Sequence, residues 1–489
     1  MPETRNHIRF ILNGEDITLN RVRPDETLLD FLRLRRGLVG TKEGCAEGDC
    51  GACTVLAGRL EGERVTYRGL NACIAFTASL DGAHVVTVEH LRGADGGLHP
   101  VQRALVQHHG SQCGFCTPGF VMTLAGLRLE GETADDARIE KALQGNLCRC
   151  TGYESIVRAA RAALADPEPD TLAEEAQAIA ARLRALQDGA RVEMGEGPDR
   201  LVIPAGVDDL AAMLEAEPEA RIVAGATDVG LWVTKAFRAI GPAVFIGHLR
   251  ELKRAEVAEG KLRIGAGVSY TEAQAALAPH LPALAELIDR IGGEQIRNGG
   301  TVGGNIANGS PIGDMTPGLI ALDATLTLRK GASRRTIPLE NFFIAYGRQD
   351  RQPGEFVEWV DVPLPEPGAL FALHKISKRR DEDITAVLGA FHVQFDGTGR
   401  VAAARIAYGG MAGTPKRAAA VEAALQGRSW TMETVEDALP AFERDFSPLT
   451  DMRASTAYRM LVAKNLLRRT FLESSGTKAP LRVRRHEAA

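Results

Sequence analysis

Apolar and polar positions alternate over Ile8, Phe10 and Leu12, break at Asn13-Gly14, and resume alternating at Ile17 and Leu19. A period of two on both sides of an Asn-Gly pair predicts a β-hairpin, because these residues tolerate the left-handed backbone of a two-residue turn. Pro24-Asp25-Glu26 then predicts the opening of a short helix carrying Leu28, Leu29, Phe31 and Leu32. Residues 1–85 therefore read as a small mixed sheet with a helix. Over 86–165 the spacing lengthens to that of helices: Phe120, Val121, Leu124 and Leu127; Ile139 and Leu143; Ile156, Val157, Ala160 and Leu164. Thr117-Pro118 predicts an N-cap followed by proline in the first helical position.

Asp166-Pro167-Glu168-Pro169-Asp170 breaks this pattern and opens a linker over 166–198. Within it, Leu172, Ile179, Leu183 and Leu186 predict an amphipathic helix, with a capping box at Thr171–Glu174. Glycine-rich, acidic sequence through Pro198 ends it. Over 199–370 the order is strand, glycine-rich loop, helix. Over 371–489 a hairpin is predicted from Phe391, Val393 and Phe395 through Asp396-Gly397-Thr398-Gly399 to Val401. Helices follow, the last on Tyr458, Leu461, Leu466 and Leu467. No tandem repeat stands out, and the basic Arg482, Arg484 and Arg485 read as a solvated end.

Composition narrows the class. The chain has 489 residues, 25% of them charged, with a net charge of −5, so a nucleic-acid partner is not the expectation. No run of 18 apolar residues predicts a membrane span, and the start MPETRNHIRF lacks a secretory apolar region. A cytoplasmic location is expected. All eight cysteines fall between Cys45 and Cys150. In a reducing compartment, such crowding predicts metal ligands rather than disulfides. Cys45-x4-Cys50-x2-Cys53 followed by Cys73 has the spacing of a plant-type 2Fe–2S site, with Gly44, Gly48 and Gly51 letting the backbone wrap the cluster. Cys113-x2-Cys116 with Cys148-x-Cys150 leaves zinc and an iron–sulfur cluster both open. Each pair precedes a predicted helix start, which favours an anionic site. Two downstream segments, Ile222–Val229 and Arg297–Ile306, have the glycine content of a phosphate cradle, although turns between strands would look similar. No G-x-G-x-x-G stands at a strand–helix turn. His108-His109 reads as structural, and Trp232, Trp359 and Trp430 as core or interface residues.

GCAEGDCGACTV (44–55) with Cys73, SQCGFCTPGF (111–120) and GNLCRCTGY (145–153) resemble the two-cluster module of the molybdenum hydroxylases. The resemblance implies a 2Fe–2S cluster at each set, the second on Cys113, Cys116, Cys148 and Cys150. The glycine-rich segments and SPIGDMTP (310–317) resemble the FAD-binding domain of the xanthine dehydrogenases and their flavoprotein relatives. That implies pyrophosphate contacts from Ile222, Val223, Ala224, Gly225, Ala226, Thr227, Asp228 and Val229, and from Thr301, Val302, Gly303, Gly304 and Asn305. It places Asp314 near the flavin ribityl or ribose, and Val357 and Lys375 near the isoalloxazine ring. From about 380, including Tyr408-Gly409-Gly410-Met411, the chain resembles the family's small C-terminal domain.

The fold so implied is α+β and multidomain. It comprises a plant-type ferredoxin-like β-grasp (1–85), a four-helix 2Fe–2S bundle (86–165), the linker, an FAD-binding α+β domain (199–370) and a small C-terminal α/β flavoprotein domain (371–489). Arg379–Asp383 is either a solvated charge run or a flank of the flavin that affects access of NAD or oxygen. Tyr346 and Arg348 fall near nicotinamide-side positions, and Gln112 matches a residue close to the pterin. The fusion resembles the small subunit of bacterial xanthine dehydrogenases. It implies a large partner subunit carrying the molybdenum cofactor, two small chains with two large ones, and no substrate-oxidising residue on this chain. Electrons would pass from molybdenum through the second and then the first cluster to FAD, which reduces NAD, as hypoxanthine and xanthine become urate. The alternatives are the equivalent subunit of an aldehyde or N-heterocycle dehydrogenase, and a non-catalytic iron–sulfur or zinc assembly protein.

Overall fold

The Asn13-Gly14 turn joins strands Ile8–Leu12 and Glu15–Leu19, with Leu12 opposite Glu15 and Asn13 at φ +56°. These strands lie in a five-stranded sheet in the order Glu15–Leu19, Ile8–Leu12, His84–Val86, Thr54–Glu61, Arg64–Asn71. Only the pairing of Ile8–Leu12 with His84–Val86 is parallel. This computed structural model describes residues 2–92, 96–131, 135–477 and 481; the arginines of the basic end lie outside them. The helix expected at Pro24 starts later, at Leu28, where the Thr27 hydroxyl accepts from the Asp30 N–H, and runs on as a π-helical turn, Phe31–Arg35. Ile11 is buried although the alternation points it outward. The Thr171–Leu186 helix covers that face, packing Ile179, Ala180 and Leu183 onto Ile11 and Leu60.

That helix is capped by Asp170 rather than Thr171: the Asp170 carboxylate accepts from the Leu172 N–H and also meets His99. The segment read as linker then holds a strand, Arg191–Met194. It pairs with Thr4–Arg5 on one side and Leu201–Ile203 on the other. Ala243–Phe245 and Arg221–Val223 complete that sheet in parallel.

Four helices, Pro100–Gln107, Thr117–Leu129, Asp136–Leu143 and Glu154–Ala165, bury Val101, Leu105, Phe120, Leu124, Ile139 and Ile156 in one apolar core. The N-cap of the second is Cys116, not Thr117, whose hydroxyl engages Ser111 instead. His108 and His109 end the first helix rather than ride on it, His109 at φ +54°. An antiparallel five-stranded sheet runs Ala255–Ala258, Lys261–Gly265, Phe356–Pro363, Thr325–Lys330, Ser333–Pro338. A C-terminal antiparallel sheet carries the predicted hairpin as Val387–Phe395 and Val401–Gly409. The Asp396 carboxylate holds its turn by accepting from the Thr398 and Arg400 N–H groups. The last helix, Thr456–Ser474, buries Leu466 and Leu467 but exposes Tyr458 and Leu461. The three tryptophans are half-buried: Arg221 lies over Trp232, Arg263 and Arg334 over Trp359, and Trp430 packs against Phe395 and Phe471.

The second bundle helix lies so close to the first cysteine loop that a Cβ at Gly119 would sit 2.2 Å from the Gly51 carbonyl oxygen. Gly119→Ala is expected to cost about 1–3 kcal/mol in unfolding free energy, as overpacking does. Denaturant melts checking it would contradict this contact if the variant matched the wild type.

Candidate functional site

The Cys45–Cys53 loop turns on left-handed backbone at Ala46, Gly48 and Gly51. It aims the N–H groups of Glu47, Asp49 and Cys50 at Cys45 Sγ, each at 3.4 Å. Cys73 follows the Arg64–Asn71 strand and brings its thiol to Cys45 and Cys53. Hydrogen bonds from the Cys50 and Cys73 thiols hold Cys45 far below the ordinary thiol range. The Cys45 thiolate in turn pushes Cys50 and Cys73 up. Four sulfurs that share protons in this way are a donor set for a cation centre, which takes the thiolate form.

The second set also converges. Cys116 meets Cys148 and Cys113, and Cys150 meets Cys113. Burial, then the Cys148 sulfur, pushes Cys116 up to about 12. At Cys148 burial works the other way but is outweighed by hydrogen bonds from Thr151, which hold this thiol below its usual value. Tyr153, at φ +72°, starts the Glu154–Ala165 helix and accepts from the Cys148 N–H at 2.9 Å. Cys113 and Cys150 are exposed, with Phe115 and Leu147 exposed beside them; Cys53 and Cys73 are buried. Among the described residues no three His, Cys, Asp or Glu group around a single metal ion. Iron in a 2Fe–2S cluster takes only two protein thiolates per metal, so four converging thiols without a three-ligand cage suit such a cluster.

The two cysteine sites touch. The Leu147 N–H donates to the Cys50 carbonyl at 2.9 Å, and Asn146 Nδ2 to the Gly51 carbonyl at 3.2 Å.

Strand Arg221–Val223 runs through Ala224–Asp228 into helix Val229–Thr234, as predicted. Among the described residues no protein group accepts from the N–H groups of Gly225, Ala226, Thr227 or Asp228. Such a row of donors suits a pyrophosphate. The second glycine-rich segment interrupts two helices, Glu294–Gly299 and Val302–Asn308, rather than following a strand. Its donors are already engaged: Val302 with the Val268 carbonyl, Gly303 with Ala266, Gly304 with the Thr301 hydroxyl. What it offers is the half-exposed Asn305 side chain. The segments meet where a Cβ on Gly225 would fall 1.5 Å from the Gly299 oxygen, and where Asp228 bonds Asn308. Asp314 is buried against Lys375, Nζ to Oδ2 2.6 Å, with the Thr385 hydroxyl on its other oxygen. Val357 lies in the apolar core, opposite Leu328.

Both helices next to these segments reach the first cysteine loop. The Thr234 hydroxyl donates to the Ala46 carbonyl at 2.7 Å, and Lys235 pairs with Glu47 at 3.5 Å. From the other helix, buried Gln295 donates to Thr54, Thr123 and Asn146. Of the charge run, Glu382 is half-buried, close to Gly293 and Asp49. Tyr346 and Arg348 sit exposed on the small hairpin Phe343–Ala345/Arg348–Gln349, and Gln112 is exposed beside Cys113. Sequence reasoning missed Asn146, Gln295 and Thr385. Only Asn146 carried a signal, its place in GNLCRC.

Four families match along the chain: "2Fe-2S iron-sulfur cluster binding domain" over 10–77, "[2Fe-2S] binding domain" over 87–161, "FAD binding domain in molybdopterin dehydrogenase" over 195–365 and "CO dehydrogenase flavoprotein C-terminal domain" over 372–474. A xanthine dehydrogenase of Emericella nidulans is 31% identical over 90% of this chain and 36% of its own length. The xanthine dehydrogenase/oxidase of Gallus gallus is 30% identical over 91% and 38%. This chain thus spans little more than a third of these relatives. Among solved structures, a carbon monoxide dehydrogenase chain from Hydrogenophaga pseudoflava is 28% identical, with TM-score 0.52, covering 55% of this chain and 93% of that one. Quinoline 2-oxidoreductase from Pseudomonas putida 86 gives 26% identity and TM-score 0.51, covering 56% and 95%. The fold and these matches define an iron–sulfur flavoprotein. The chain belongs to the molybdenum hydroxylase family, as its 2Fe–2S and FAD-binding part.

Burial, then the Asp49 charge, pushes the Glu382 carboxyl up to about 8. A raised carboxyl contributes stability below its unfolded value, 4.5, that is lost as pH rises through 8. Melting temperatures of Glu382→Gln are expected to fall less than wild type between pH 5 and 9, leaving the variant the more stable at pH 9. Parallel curves would contradict the burial of this carboxyl.

Proposed function

We infer that this chain is the electron-transfer part of a xanthine dehydrogenase. In this reading it passes electrons from a molybdenum centre on a large partner subunit through two 2Fe–2S clusters to FAD, which reduces NAD, while hypoxanthine and xanthine are oxidised to urate. The observation that carries this reading is the contact order. The Cys113/Cys116/Cys148/Cys150 site, with Cys113 and Cys150 exposed, adjoins the Cys45/Cys50/Cys53/Cys73 loop, and that loop touches the helix that follows Ala224–Asp228. When bound, the clusters supply one-electron steps and the flavin joins them to a two-electron hydride exchange.

The residues' part is holding and tuning. The N–H groups around Cys45 would stabilise the reduced, more anionic cluster. Gly225 to Asp228 would hold the pyrophosphate, with Asn305 beside them. Lys375 and the Thr385 hydroxyl fix the Asp314 side chain between them, and it would face the ribityl or ribose. The apolar rim of Phe115 and Leu147 around exposed thiols supports a partner docking there, in a complex of two small and two large chains. The eight free cysteines suit a reducing cytoplasm. No helix among the described residues is long and apolar enough to cross a membrane.

The likeness to the quinoline and carbon monoxide enzymes supports a second reading, the same role beside a partner with another substrate. The isolated chain is expected to hold roughly two 2Fe–2S clusters and one FAD, to oxidise NADH with artificial acceptors, and not to turn over xanthine. Adding the copurifying large subunit should restore xanthine oxidation. Turnover of quinolines or aldehydes in place of xanthine selects the second reading, and xanthine turnover by the chain alone overturns both.

A further inference from the structure

Gln295 and Asn146 belong to different domains and ligate nothing, yet both are 4% exposed and hydrogen-bonded to one another. Gln295 Nε2 lies 3.2 Å from Thr54 Oγ1, Thr123 Oγ1 and Asn146 Oδ1. The direction of these bonds is fixed. The Thr54 hydroxyl already donates to the Gly51 carbonyl at 2.7 Å, and the Thr123 hydroxyl to Asn146 Oδ1 at 2.8 Å. Both hydroxyls can therefore only accept from Gln295, which must present its NH2, its two hydrogens shared among the three oxygens. Its Oε1 is buried with no partner. An amide with an orphaned buried oxygen is costly to keep for packing alone.

Asn146, with its oxygen held by Gln295 and Thr123, turns its Nδ2 to the Gly51 carbonyl at 3.2 Å. That carbonyl thus accepts from three donors: Asn146 Nδ2, the Thr54 hydroxyl and the Thr54 N–H at 3.1 Å. The other end of the same peptide is the Ala52 N–H, which faces the Cys50 sulfur. Because a peptide is planar, anchoring its oxygen aims its N–H. The chain of contacts runs from Gln295 to Asn146, to the Gly51–Ala52 peptide, to Cys50. At its far end, the Glu294–Gly299 helix that carries Gln295 abuts the Gly225 loop through Gly299.

We propose that Gln295 and Asn146 are positioning residues that hold the Gly51–Ala52 peptide with its N–H on the Cys50 sulfur, and so set the reduction potential of the first cluster. The proposal rests on the reading that Cys45, Cys50, Cys53 and Cys73 bind a 2Fe–2S cluster. An N–H bond to a cluster sulfur favours the reduced state, so loosening it lowers the potential. Arg138–Glu294 and Lys141–Asp289 also join these domains, at 3.1 and 3.2 Å, and would keep them docked when the amides are removed.

The test is a redox titration, followed by electron paramagnetic resonance, of the full chain as wild type, Asn146→Ala, Gln295→Leu and the double variant. Iron, sulfide and flavin contents are measured alongside. Both single variants should move the first cluster's midpoint to more negative potential and leave the second cluster's in place. The double variant should move it no further than Asn146→Ala does, because the residues act in series. Gln295→Leu lies two contacts from the peptide and keeps the test open if Asn146→Ala loses its cluster. Unchanged midpoints in fully loaded variants, or shifts that add in the double variant, overturn the positioning role. A wild-type chain that takes up no iron refutes the cluster reading itself.

Discussion

Backbone from separate segments comes within van der Waals distance of the Cys45–Cys53 loop, and the absence of side chains at the contacts is what permits it. A Cβ on Gly51 would fall 2.1 Å from the Gly145 oxygen, and one on Gly119 would strike Gly51 itself. Redox centres held by separate domains exchange electrons only if they lie close together, and ordinary side chains would hold these backbones apart. The same demand explains why the first loop is gripped by the Val229–Thr234 and Glu294–Gly299 helices, each adjoining a glycine-rich segment. Domain docking and redox spacing are here one set of contacts.

Electrostatics follows the same line. Inward-pointing N–H groups surround Cys45, and the helix headed by Cys116 directs its N-terminal dipole at the second site. Both favour the negative charge of a thiolate-bound centre. The second site keeps two thiols at the surface, while the first is enclosed by its neighbours. This exposed end and enclosed end fit the order of the electron path proposed above.

Much of this was legible in the sequence because the signals were local. Cysteine spacing, the Asn13-Gly14 turn and helical periodicity each act within a few residues, and the corresponding elements formed. Multidomain α+β architecture followed from the same motifs. The misses are tertiary. Ile11 is buried because a helix 160 or more positions later covers it. Asp170, rather than Thr171, caps that helix while also meeting His99 from the bundle. The Arg191–Met194 strand has too few residues to show a period and is specified by its partners. Gln295 gives no local sign of its role, since its partners Thr54, Thr123 and Asn146 come from two other domains.

The central claim is that the first cysteine loop is the obligatory step between the second site and the flavin segments. Reduction by NADH of the Cys53→Ser chain, followed by flavin absorbance and electron paramagnetic resonance, tests it most directly. The account predicts that the flavin bleaches as in wild type while the second cluster, though present, stays oxidised. Reduction of the second cluster at the wild-type rate would contradict it.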